Sequence, residues 1–110
     1  MPKALLLVQS QASDPDREDE YHKWYDETHL PQVCEIPGIT GARRYSLASG
    51  SITSDDSSLP AHLAIYEIDT DDVESVLGEL VARAGDGRIE MSDVLQLDPT
   101  PNILLYMERD

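Results

Sequence analysis

A chain of 110 residues with 22 acidic and 8 basic side chains, formally −14 at neutral pH, has room for one core and not for two. That charge repels phosphate backbones and anionic lipid surfaces, and no basic stripe offsets it, so neither nucleic acid nor a membrane is an expected partner. A single cysteine, Cys34, leaves no intrachain disulfide and no cysteine-based metal cluster, and suits a reducing, cytoplasmic location.

Ala4–Gln9 is a continuous apolar run, too short for a bilayer span or a signal-peptide core, and reads as a strand buried on both faces. Ser13-Asp14-Pro15-Asp16 is a helix start, with Asp14 as cap and Pro15 at the first helical position. Tyr21, Trp24, Tyr25 and Thr28 follow at helical spacing and share one face. Pro31 disfavours helical geometry at Leu30, which predicts a break or kink near His29-Leu30; Pro37-Gly38 ends the helical region.

Ile39–Leu47 reads as a second strand, with Ile39, Arg43, Tyr45 and Leu47 on one face and Thr40, Ala42, Arg44 and Ser46 on the other. Ala48–Pro60, rich in Ser, Asp and Gly, is a long hairpin loop and the expected site of greatest mobility. Ala61–Ile68 is a third strand, with His62, Ala64, Tyr66 and Ile68 on one face. Asp69-Thr70-Asp71-Asp72 opens a second helix, whose stripe runs Val73, Val76, Leu77, Leu80, Val81 and Ala84 and stops at Gly85-Asp86-Gly87. Arg88–Pro101 is compatible with a short helix or an edge strand, and Ile103–Glu108 is a last strand.

The order β-α-β-β-α-β is the ferredoxin-like α+β arrangement, a four-stranded antiparallel sheet with two helices on one face. The strands carry apolar side chains on both faces, with Leu5, Leu7, Tyr66 and Leu105 set against Leu6, Val8, Ile65 and Leu104. A sheet face bare of helices then needs a cover, and a second copy of the same sheet is the simplest one, giving a homodimer through the sheet faces.

Glu20–Leu47 carries the aromatic pair Trp24-Tyr25, the acidic pair Asp26-Glu27, His29-Leu30-Pro31, Pro37-Gly38 and then Tyr45. This ordered set resembles the EthD-like branch of the dimeric α+β-barrel superfamily. The resemblance implies a dimer with facing sheets and a cavity between sheet and helices in each protomer. It also implies small-molecule chemistry of the kind found among muconolactone-type isomerases, polyketide cyclases and cofactor-independent monooxygenases. Within it His29 matches a histidine thought to act in related methylmuconolactone isomerases. No separate signal for a haem ligand accompanies it, and no cofactor is expected.

His29 is the first candidate for chemistry, because an imidazole exchanges protons near neutral pH. Tyr25, four residues earlier, neighbours it on a helix and is the candidate to orient it or to hold a substrate oxygen. Trp24, Arg43, Tyr45, His62 and Tyr66 are the candidate pocket wall, with Arg43 suited to a carboxylate or enolate oxygen and His62 to a second base. Each has a plainer structural role open to it, in core packing or a surface ion pair. His22, Asp26 and His29 have spacings of four and three that a metal site could use, but His22 reads as solvent-facing and Asp26 lies off the aromatic face, so no metal is expected. The functional expectation is an enzyme without a bound cofactor that moves a proton on a hydrophobic, oxygenated metabolite such as a lactone, phenol or polyketide. The alternative is a dimeric module that binds such a metabolite without turning it over.

Overall fold

The computed structural model describes residues 3–48, 60–96 and 101–109. Four strands, β1 (Lys3–Ser10), β2 (Ile39–Ser46), β3 (His62–Asp69) and β4 (Asn102–Met107), form one antiparallel sheet in the order β2-β3-β1-β4. The helical elements are α1 (Glu18–Trp24), a π-helical turn (Tyr25–His29), α2 (Leu30–Cys34) and α3 (Val73–Asp86). This is the ferredoxin-like α+β fold, with the core between sheet and helices.

Local chemistry accounts for the element ends. Asp14 accepts from the Asp16 backbone N–H ahead of a short 3-10 turn at Pro15–Arg17. Asp72 caps α3 by accepting from the Ser75 N–H at 3.1 Å, and Gly87, at φ 90°, closes it in the left-handed region.

Around Pro31 the helix widens instead of breaking. The Leu30 N–H donates to the Tyr25 carbonyl five residues back, and α2 continues from there. A wider turn just before Pro31 relieves the steric conflict that a proline imposes on the preceding helical turn. The expected kink is therefore a π turn, and both Tyr25 and His29 lie on it.

Strand register decides which side chains meet the helices. Leu6 stands opposite both Tyr66 and Leu105, so these three share the helix-covered face. The other face carries Leu5, Leu7, Ile65, Leu104 and Tyr106. The grouping of Tyr66 and Leu105 with Leu5 and Leu7 is thereby corrected: β3 and β4 pair antiparallel with β1 in a register that sets them against Leu6.

β2 needs a second correction. Its register shifts between Ile39 and Gly41, with Ile39 opposite Ile68 and Gly41 opposite Glu67. One extra residue in a strand reverses the inside-outside alternation beyond it. Ile39 is buried, yet Ala42 and Arg44, and not Arg43 and Tyr45, point toward the helices.

The segment after α3, expected as a short helix or an edge strand, is an irregular strap. Ile89, Val94 and Leu95 are buried, Ser13 N–H donates to the Val94 carbonyl at 2.7 Å, and Gln96 N–H donates to the Gln11 carbonyl. Leu95 makes an isolated bridge to Ala12. Most of the Ala48–Pro60 loop, residues 49–59, lies outside the described residues. Among the described residues no helix is long and apolar enough to cross a membrane.

Candidate functional site

A cavity of about 410 Å³ lies under α3, bounded by β1, β3, β4, the π turn and the strap. Its wall is almost wholly apolar: Leu6 and Val8 from β1, Val33 from α2, Leu80 from α3, and Ile89, Met91 and Leu95 from the strap. The polar exceptions are His29, Tyr25 and Tyr66.

His29 reaches the cavity because the π turn carries it, and its ring is held from two sides. Trp24 stacks on it at 4.7 Å and 25°, and Tyr25 meets it edge-on at 4.9 Å. Trp24 is anchored in turn by its indole N–H, which donates to the Glu90 carbonyl. The His29 Nδ1 is buried and has no hydrogen-bond partner among the described residues. Burial, and then the nearby Arg44 guanidinium, lower the His29 pKa to about 4, so the imidazole is neutral at neutral pH.

Tyr25 and Tyr66 are both buried, with hydroxyls 3.5 Å apart at the outer limit of a hydrogen bond. Burial pushes Tyr25 up to about 12 and raises Tyr66 as well, so both phenols keep their protons. The polar end of the cavity thus offers one neutral imidazole and two neutral phenols.

Arg44 stands behind them. Its guanidinium lies over the Tyr25 ring at 4.4 Å and near the Tyr21 ring at 5.3 Å, and it pairs with Asp26 at 3.0 Å. It had no place among the sequence candidates, since the bulge in β2 carries no signal that strand alternation alone can read.

The other candidates fall elsewhere. Arg43 and Tyr45 lie on the face away from the helices and do not border the cavity. Trp24 shields His29 without lining the space. His62 is buried at the far end of β3, outside the cavity wall. There it joins a second polar cluster. Its Nε2 is 3.0 Å from a Glu18 carboxylate oxygen, its Nδ1 is 3.1 Å from the Ser46 hydroxyl, and its ring stacks on Tyr21 at 5.2 Å. Tyr21 is fully buried and shares a 2.7 Å hydrogen bond with Ser10. Cys34 is half-buried, and burial raises its pKa, the opposite of what a reactive thiolate needs.

No protein-family model and no curated protein matches this sequence. Solved structures do. An EthD family protein from Bacillus halodurans superposes with a TM-score of 0.63 at 17% identity, over 99% of this chain and 100% of that one. An EthD-like protein from Ralstonia eutropha matches with a TM-score of 0.58 at 13% identity, over 96% of this chain and 90% of the other. A dimeric ferredoxin-like protein of unknown function from Thermobifida fusca matches with a TM-score of 0.52 at 12% identity, over 97% and 90%. The fold is therefore the one adopted by EthD-like proteins, in keeping with the resemblance carried by Glu20–Leu47. At these identities the likeness speaks for architecture and leaves the chemistry to be argued from the site.

Proposed function

We propose that this chain is a homodimeric small-molecule enzyme without a bound cofactor. Its cavity takes an apolar molecule bearing one oxygen function, of lactone, phenol or polyketide type. The observation that carries this reading is an apolar cavity of about 410 Å³, a size within the range of small-molecule sites, whose polar wall is formed by His29, Tyr25 and Tyr66. In the neutral form the imidazole can take a proton next to a carbonyl, while the Tyr25 and Tyr66 hydroxyls donate to the oxygen that gains charge. As the base, His29 should contribute about 10²–10⁴-fold to the rate.

The homodimer reading rests on the sheet face that no helix covers. Leu5, Leu104 and Tyr106 stand exposed there, and β4 is exposed along its whole length, including Ile103 at the cavity wall. A second copy would bury that face. The Thermobifida fusca structure of similar fold is dimeric.

A second reading, a non-catalytic metabolite binder, is favoured by the low proton affinity of His29, which makes it a weak base at neutral pH. Product analysis and binding measurements with lactones, phenols and quinones separate the two. For the enzyme, His29→Gln should keep ligand affinity within a few-fold while turnover falls by about 10²–10⁴-fold. Saturable binding with no product across the panel would establish the binder instead. Turnover unchanged in His29→Gln would remove the role given to His29.

A further inference from the structure

We propose that Glu18, His22 and His62 form a binding site for one divalent transition-metal ion of the zinc type, separate from the apolar cavity. One nitrogen or oxygen from each residue can be chosen such that all three lie within 4.8 Å of one another. None of the three lines the cavity, so the site does not depend on the function proposed for His29.

The trio comes together through tertiary structure. Glu18 and His22 are one helical turn apart on α1 and share a face. His62 opens β3 and faces the helices, directly beneath that face. The His22 and His62 rings meet edge-on with centroids 4.6 Å apart. Helical spacing groups His22 with Asp26 and His29, a set from which no metal is expected; the fold instead sets His22 against Glu18 and His62.

The ring of His62 is held in place on every side. It is 7% exposed, stacked on Tyr21, and its Nδ1 faces the Ser46 hydroxyl. A metal-bound histidine typically gives its other ring N–H to an oxygen acceptor, which fixes ring orientation and tautomer. In the metal-free protein the His62 Nε2–H donates to Glu18, whose two carboxylate oxygens are at 3.0 and 3.4 Å; a metal ion would replace that proton, with the other tautomer placing Nδ1–H toward Ser46.

Two imidazoles and a carboxylate form a donor set used in open zinc sites, where water fills the remaining position. Tetrahedral zinc with bonds of about 2.0–2.1 Å spaces its ligands about 3.3 Å apart. Closing from 4.8 Å therefore requires a modest shift of Glu18 and His22, which are both only half-buried. Arg44 is the nearby opposing charge. It is already engaged by Asp26 and by the Tyr25 ring.

The test is calorimetric titration of the full-length, chelator-treated protein with zinc chloride, and separately with magnesium chloride, at fixed pH and 150 mM salt. The expected result is one zinc per protomer and no saturable magnesium binding. His22→Ala and Glu18→Gln alter half-buried positions and should each weaken zinc by about 10–100-fold or more, with Ser46→Ala weakening it by about ten-fold. His29→Gln should leave zinc affinity unchanged. Since His62→Ala alters a buried position, it is read only if its far-ultraviolet circular dichroism matches the parent. No zinc heat, equal binding of magnesium and zinc, or affinity unaffected by His22→Ala and Glu18→Gln would each overturn the site.

Discussion

At the scale of single residues, position in the fold decides what a titratable group can do. His29 and His22 are separated by seven residues on the same helical region, yet one borders an apolar cavity and the other meets a histidine and a carboxylate. Burial of His29 has a consequence for stability. Its pKa is lowered from 6.5 to about 4 in the folded state, so between those values the unfolded chain binds the extra proton. Stability therefore rises with pH across that window and is lost as pH falls through it. From pH 7 to pH 5 the penalty from this one group is about 2 kcal/mol. Urea denaturation of the parent and of His29→Gln at both pH values isolates it. The parent should lose about 2 kcal/mol more than the variant, and an equal loss in both would show that His29 titrates normally.

At the scale of elements, two irregularities shape the site: the π turn at Tyr25–His29 and the bulge in β2. A third feature joins helix to sheet. Gly38 sits at φ 102°, where side chains are strained, and a Cβ there would lie 2.8 Å from the Val76 Cγ2. Val76 is the fully buried residue of α3, and the Gly38 carbonyl accepts from the Asp69 N–H at 2.9 Å. The turn is thus wedged between α3 and the end of β3. Gly38→Ala should destabilise by at least about 1–3 kcal/mol, from backbone strain with the contact on Val76 added. A lowered urea midpoint at unchanged slope is the expected readout, and an unchanged midpoint would mean that the turn relaxes freely.

At the scale of the whole molecule, the distribution of apolar surface is uneven. The face under the helices holds the core, while the opposite face carries a row across three strands: Ile65, Leu7 and Leu104, with Leu5 and Tyr106 beside it. In the proposed dimer, Leu104→Asp sets a carboxylate into that row and should convert the protein to a monomer at micromolar concentration. Light scattering coupled to size-exclusion chromatography reads this directly; a parent already monomeric, or a variant still dimeric, would reject the sheet-to-sheet arrangement. Each protomer carries −14, so screening at higher salt should leave the parent dimer unchanged or tighter.

Much of this was legible in the sequence because it depends on neighbours in the chain. Asp72, Gly87 and the stripe through Val76 are local signals, and they place α3 where it is found. The element order and the ferredoxin-like fold follow from such signals, and the ordered residues of Glu20–Leu47 pointed to the EthD-like architecture. Which residues meet across the fold is a different matter. Arg44 instead of Arg43 reaches the helices because one extra residue reverses the alternation of β2. Tyr66 shares a face with Leu6 because antiparallel register, not spacing, sets its partner. His62 meets Glu18 and His22 only after β3 is laid beneath α1. Periodicity along a chain determines which side chains share a face of one element. Parity across a bulge and register between strands are settled by packing, and only the tertiary structure contains them.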